Sequence, residues 1–176
     1  MEKLEMKRLK ELIRTIPDFP EKGVMFRDIT TALKDKEGLH AIIKDFSDRY
    51  TDKGIDYVLG ADARGFIFGA AIAYNIGAGF VPARKIGKLP GETARVEYDL
   101  EYGTNTIEVH KDAFGDGANV LIVDDLLATG GTAAAMVKLV EILGAKVYEL
   151  AFLIELDDLN GRNLLDGHSV YSILKY

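Results

Sequence analysis

The sequence predicts an α/β fold: a mainly parallel, twisted sheet of about five strands flanked by helices on both faces. Three observations carry that reading. Residues 120–123 form an uninterrupted branched apolar run, the pattern of a strand buried on both sides in a parallel sheet. Residues 55–83 read as strand, helix, strand, the unit from which parallel sheets are built. After the central run, positions 133, 136, 137, 140 and 143 mark a helix face, and 147–156 form another strand.

Composition narrows the class. A chain of 176 residues with 48% hydrophobic and 28% charged residues fits a single domain spanning 1–176. No apolar run approaches the ~20 residues that cross a membrane, and no signal-peptide pattern opens the chain, so a cytoplasmic location without membrane partners is expected. The absence of cysteine excludes disulfides, thiol nucleophiles and thiolate metal sites. A net charge of −6 argues against nucleic acid as a partner. It leaves small anions open, because local basic residues decide that.

Taken in order, residues 4–16 place Leu9, Leu12, Ile13 and Ile16 on one face of a charged helix. Pro17 and Pro20 end it and begin an extended hood up to Thr31. Gly38 precedes a second amphipathic helix that aligns Leu39, Ile42, Ile43, Phe46 and Tyr50. With no strong strand so far, this part reads as an N-terminal helix and hood (1–35) on a later core. The core starts with strand 55–60, and the helix after it spaces Gly65, Gly69 and Ala73 for close packing on a sheet, with Gly77 as its stop. Strand 79–83 follows. Residues 88–110 alternate apolar with polar around Glu101-Tyr102-Gly103, which fits an exposed, flexible antiparallel excursion. Gly144 caps the helix after the central run. A short polar helix near 158–165 and a strand over 169–174 close the domain.

Chemistry concentrates at strand ends. After residues 120–123 come Asp124 and Asp125, then Leu126-Leu127-Ala128-Thr129-Gly130-Gly131-Thr132. Two glycines let backbone amides approach an anion, two threonines add hydroxyls, and the following helix aims its N-terminus at the same place. This is a phosphate cradle beside paired carboxylates. It lacks the Gly-Lys-Ser/Thr ending of a Walker loop. Arg64 follows one strand, Arg84 and Lys85 another, and Lys88 lies just beyond. Strand ends of a parallel sheet share an edge, so these cations converge where a second, more highly charged phosphate group would bind. His40, His110 and His168 have no metal-ligand spacing, and Ser47, Ser169 and Ser172 have no nucleophile context, so all are read as structural.

Residues 120–132 resemble the 5-phosphoribosyl-1-pyrophosphate (PRPP) motif of type I phosphoribosyltransferases. Four further segments point to the adenine branch of that family: Gly23-Val24-Met25-Phe26-Arg27-Asp28-Ile29-Thr30, Asp62-Ala63-Arg64-Gly65-Phe66-Ile67-Phe68-Gly69, Arg84-Lys85-Ile86-Gly87-Lys88-Leu89-Pro90-Gly91 and Tyr98-Asp99-Leu100-Glu101-Tyr102-Gly103. They occur in the family's order over essentially the whole chain. The resemblance implies a pentosyltransferase of purine salvage that makes AMP and pyrophosphate from adenine and PRPP with Mg2+, working as a homodimer. Another purine base, or a PRPP-sensing regulatory module, is the alternative. It implies that Ala128, Thr129, Gly130, Gly131 and Thr132 hold the 5′-phosphate, and that Asp124 and Asp125 accept hydrogen bonds from the ribose hydroxyls. Asp62, Ala63, Arg64, Arg84, Lys85 and Lys88 would bind pyrophosphate, with the peptide at Asp62–Ala63 often cis in relatives. Met25 and Arg27 would read the adenine edge through their backbones, with Phe26 and Leu126 stacking on the ring. Glu101 would close over the site within the flexible catalytic region 88–110 and assist proton handling, Tyr102 would shield the reacting centre, and Arg64 would act with them. No residue is expected to ligate magnesium directly; PRPP and waters would hold it. Met25 and Ala63 stand where other residues are common in relatives.

Overall fold

The structure, a computed structural model, describes residues 3–99 and 104–176. The chain divides into two compact units, Met1–Asp48 and Arg49–Tyr176.

In the first unit, α1 (Lys3–Leu12) leads into β1 (Arg14–Pro17), which pairs antiparallel with β2 (Met25–Asp28). The helix expected over 4–16 therefore stops at Leu12, and Ile16 pairs with Phe26 across a ribbon. The reason is local. Ile13, Thr15 and Ile16 are β-branched, and Pro17 removes an amide and disfavours helical backbone at the residue before it. Arg14 clamps the ribbon by an ion pair to Asp28, which also accepts the Thr30 hydroxyl (2.6 Å) and amide (2.9 Å). The Thr30 and Arg14 hydrogen bonds hold the Asp28 pKa down at about 2. Helices α2 (Thr30–Lys34) and α3 (Lys36–Tyr50) follow. Asp35, rather than Gly38, marks the start of α3: its Oδ1 accepts the amides of Glu37 (3.1 Å) and Gly38 (2.7 Å). Gly38 lies inside the helix because a Cβ there would sit 2.9 Å from both the Ala32 carbonyl oxygen and Leu12 Cδ1.

The second unit holds β3 (Tyr57–Ala61), α4 (Arg64–Ile76), β4 (Gly79–Lys85), β5 (Thr93–Asp99), β6 (Thr104–His110), β7 (Asn119–Leu127), α5 (Gly131–Ile142), β8 (Lys146–Glu155) and β9 (Val170–Lys175). Among the described residues these strands form one seven-stranded sheet in the order β5-β6-β4-β3-β7-β8-β9. Five of them, β4-β3-β7-β8-β9, are parallel, as the apolar runs predict. The antiparallel pair β5–β6 does not stand off as an exposed ribbon. It continues the sheet through Arg84↔Glu108 and Lys85↔Ile107. Its inner face, with Val96, Ile107 and Val109, is buried in the core that α5 covers.

Strand alternation separates the two faces. Leu59, Ala61, Val120, Ile122, Leu150 and Phe152 join the core with Met136, Leu139 and Val140 of α5. Their neighbours Gly60 and Val123 meet α4 instead, where a Cβ on Gly65 would lie 2.8 Å from the Val123 carbonyl oxygen. A Cβ on Gly69 would lie 2.8 Å from the Phe80 ring, so the spacing of small residues on α4 is what lets it sit this close. Gly77, at φ 74°, ends α4 as expected. The short polar helix expected near 158–165 is two 3₁₀ turns, Asp157–Leu159 and Gly161–Leu165.

Candidate active site

Strand β7 runs two residues past its paired acids. Asp124 pairs with Phe152 and Leu127 with Glu155, so the carboxylates sit within the strand and the turn begins at Ala128. The longer strand β8 offers pairing partners that far, which the abrupt end of the apolar run conceals. Gly130, at φ 88°, turns the chain into α5 and its carbonyl accepts the Ala134 amide at 2.9 Å. The amides of the first helical turn have no acceptor within the helix, which leaves them available to an anion.

This turn is braced from behind by the first residue of the second 3₁₀ turn. A Cβ on Gly130 would lie 2.3 Å from the Gly161 carbonyl oxygen, and one on Gly161 would lie 2.2 Å from that of Ala128. Arg162, next in sequence, makes a two-pronged contact with the buried Glu155 and donates to the Val170 carbonyl (3.0 Å). Ser172 adds a hydroxyl donor to Glu155 at 2.7 Å. The Arg162 and Ser172 hydrogen bonds outweigh burial and hold the Glu155 pKa down at about 2.

A cavity of about 210 Å³ lies at the carboxyl ends of β3, β4 and β7. Of the residues singled out from sequence, Asp62, Ala63, Arg64, Lys85, Asp124, Asp125 and Thr132 line it. The Asp62–Ala63 peptide at its rim is cis. Arg64 Nε lies 2.9 Å from Asp125 Oδ2, and the Asp125 amide donates to Asp124 Oδ1 at 2.8 Å. Burial, reinforced by the adjacent Asp125 charge, pushes the Asp124 carboxyl well above its ordinary pKa. Burial also raises Asp125, against the opposing pull of Arg64. Two carboxylates facing one guanidinium thus form an acceptor pair that hydroxyl donors would relieve.

Arg84 and Lys88 do not line the cavity. Arg84 Nε donates to Asp62 Oδ2 at 3.1 Å and its Nη1 to the Lys88 carbonyl at 3.3 Å. Ala128, Thr129, Gly130 and Gly131 form the turn next to Thr132 but do not themselves line the cavity. Met25, Phe26 and Arg27 lie on β2 of the first unit, where Phe26 packs edge-on against Phe19 with ring centres 5.1 Å apart. Leu126 lies in β7 of the second unit. Glu101 and Tyr102 fall outside the described residues. Among the described residues no group of three or more His, Cys, Asp or Glu side chains is arranged to hold a metal.

Sequence reasoning missed four lining residues: Tyr98, Asn105, Thr106 and Ile107. The Thr132 hydroxyl donates to Tyr98 OH at 3.3 Å, joining the turn to β5. A signal for Tyr98 was present, since period two puts it on the same face as Val96, which is buried. The register Tyr98↔Asn105 then brings in Asn105, and that register is not visible locally.

With this geometry in hand, the comparisons with known proteins are specific. The family model "Phosphoribosyl transferase domain" matches residues 30–175. A relative named adenine phosphoribosyltransferase from Solibacter usitatus is 58% identical over 171 residues, covering 97% of this chain and 99% of its own. The crystal structure of the adenine phosphoribosyltransferase from Thermoanaerobacter pseudethanolicus superposes with a TM-score of 0.94 at 50% identity, covering 97% of this chain and 99% of that one. The Saccharomyces cerevisiae enzyme, solved with adenine and an imino-altritol bisphosphate, gives 0.90 at 40% identity over 97% and 99%.

Proposed function

This chain belongs to the adenine phosphoribosyltransferase family, and from that membership we infer that it moves the 5-phosphoribosyl group of PRPP to adenine in purine salvage, giving AMP and pyrophosphate. The observation that carries the reading to particular residues is that Asp124, Asp125, Thr132, Arg64 and Lys85 line one and the same cavity. One side of it offers acceptors and hydroxyls suited to a ribose phosphate. The other offers cations suited to pyrophosphate.

In this reading the amides and hydroxyls of Ala128 to Thr132 hold the 5′-phosphate, and Asp124 and Asp125 take the ribose 2′- and 3′-hydroxyls. Asp62, Ala63, Arg64, Arg84, Lys85 and Lys88 bind pyrophosphate. The bond from C1′ to the pyrophosphate oxygen breaks as adenine N9 bonds C1′, through an oxocarbenium-like transition state. Negative charge grows on the leaving group, so preorganised cations are the main catalytic contribution. Met25 and Arg27 read adenine through their backbones, while Phe26 and Leu126 supply faces for the ring. Glu101 assists proton handling at adenine, and Tyr102 shields the centre from water that would hydrolyse PRPP. These last roles rest on the resemblance of their motif.

Magnesium belongs to this reading as the cofactor. The cavity's chemistry is compatible with it: Asp62, Asp124 and Asp125 present hard oxygens that would accept hydrogen bonds from its waters rather than ligate the ion directly. It would neutralise pyrophosphate, held mainly by PRPP and waters with these carboxylates around it, since magnesium sheds water reluctantly. The unit boundary at Asp48 falls inside the matched span 30–175, which supports reading both units as one phosphoribosyltransferase domain. A homodimer is supported by the exposed face of α4, where Ile67 and Tyr74 lie seven residues apart and Tyr74 is 88% exposed. Among the described residues no helix is long and apolar enough to cross a membrane. We place the protein in the cytoplasm, with no nucleic-acid partner. Incubation with adenine, PRPP and Mg2+ tests the reading: AMP and pyrophosphate should appear in equal amounts. Pyrophosphate without AMP would mean hydrolysis and overturn it.

A further inference from the structure

Glu108 is a fully buried carboxylate, 0% exposed, that the reaction as described does not use. It lies on β6 opposite Arg84 of β4 and Arg95 of β5. Its Oε1 accepts the amides of Lys88 and Leu89, each at 3.2 Å. Its Oε2 accepts the Thr93 hydroxyl and Arg95 Nε, each at 3.0 Å. Both oxygens are thus committed, one to the turn after β4 and one to the start of β5.

The turn it grips is the one that carries the basic cluster. Arg84, Lys85 and Lys88 fall within five residues, and like charges so close repel one another before any anion arrives. A buried anion behind the turn offsets that repulsion. The grip also passes on, because Arg84 Nη1 bonds the Lys88 carbonyl and Arg84 Nε bonds Asp62 on the cavity's lining. A neutral turn could have been closed by water. Burying a charge there is costly unless its bonds are all made, and here they are. Burial alone would raise the carboxyl's pKa, yet the Leu89 amide, Thr93 and Arg95 hold it below the ordinary value.

We propose that Glu108 is a positioning residue for the pyrophosphate half of the site: it fixes the turn 87–89 and, through Lys88, the guanidinium of Arg84. It does not touch substrate. The proposal rests on the reading of Arg84, Lys85 and Lys88 as pyrophosphate ligands. The ribose-phosphate half stands on β7 and α5, so loss of Glu108 should affect one half and spare the other.

The test compares Glu108→Gln, Glu108→Asp and Lys88→Ala with the parent enzyme. KM for PRPP, inhibition by pyrophosphate, KM for adenine and the affinity for AMP alone are measured, with melting curves. Glu108→Gln leaves the Lys88 and Leu89 amides a weaker, uncharged acceptor and sets an NH2 against the Thr93 hydroxyl and Arg95 Nε. It should raise KM for PRPP and the pyrophosphate inhibition constant roughly tenfold while leaving AMP affinity and KM for adenine unchanged. Glu108→Asp keeps the charge but withdraws it by one methylene, and should give a smaller shift in the same two constants. It also serves if the Gln variant does not fold. Unchanged PRPP and pyrophosphate constants in a folded variant overturn the proposal, as does an equal loss for AMP, which would mean general loosening. If Lys88→Ala leaves KM for PRPP unchanged, the assignment of the basic cluster fails, and the proposal fails with it.

Discussion

A methyl group added at Gly161 tests how far catalysis depends on the brace behind the phosphate turn. Its Cβ would lie 2.2 Å from the Ala128 carbonyl oxygen and 3.1 Å from Leu127 Cδ1, where ordinary contact begins at 3.4 Å. The two backbones must therefore part by about 1.2 Å, the difference between the first and last of these distances. Neither has slack. Ala128 continues directly from β7, and Arg162 is tied to Glu155 and to the Val170 carbonyl. Overpacking of this kind costs about 1–3 kcal/mol. At ~2–4 °C per kcal/mol for a chain of this size, Gly161→Ala should melt roughly 2–12 °C lower, still folded at 25 °C. The functional cost should be separate and of similar size, since a displacement near 1 Å in a positioning element can lower rates ~10²-fold, about 2.7 kcal/mol. Steady-state kcat/KM for PRPP, read beside the melting curve, separates the two effects. A variant that melts lower but retains the parent's kcat/KM would refute the claim that the 3₁₀ turn positions the phosphate loop.

Asp124→Asn should separate stability from function. Burial and Asp125 already disfavour its charge, so a neutral isostere should leave the melting temperature at neutral pH equal to or above the parent's, while kcat falls by roughly 10²-fold; near-normal turnover would sink its assigned role. Glu155 gives the opposite sign. Its folded pKa, about 2 against an ordinary 4.5, means that its contribution is complete above about 4.5 and lost as pH falls towards about 2. The gap in melting temperature between the parent and Glu155→Gln should therefore be widest near pH 7 and close across that window; a gap independent of pH would contradict the pairing of the buried Glu155 carboxylate with Arg162.

The parts of the fold legible in the sequence are those whose signal is local. The apolar run before Asp124, the small-residue spacing of Gly65, Gly69 and Ala73, and the Gly130 turn each reflect chemistry within one element. The structure places them as their patterns imply. Long-range partners were not legible. Asp124 and Asp125 look like the end of a strand until β8 is known to run alongside them. The excursion 88–110 looks like a free ribbon because its edge pairing with β4 joins residues more than twenty positions apart. Glu149, inside the apolar run 147–156, gives no hint that Arg49, Tyr50 and Ser169 will satisfy it, with Arg49 at 2.8 and 2.9 Å. Ile13 to Pro17 was the opposite case. Hydrophobic periodicity outvoted β-branching and a proline that already argued for an extended chain.

Adenine transfer at the cavity beside β7 is open to a direct test with a panel of bases. With PRPP and Mg2+ at fixed concentration, kcat/KM is measured for adenine, hypoxanthine, guanine and xanthine. A site whose backbone groups pair with the amino edge of adenine leaves those groups unpaired against a 6-oxopurine, so adenine should lead by about 10⁴-fold. A 6-oxopurine that matches or exceeds adenine would rule out adenine as the acceptor base.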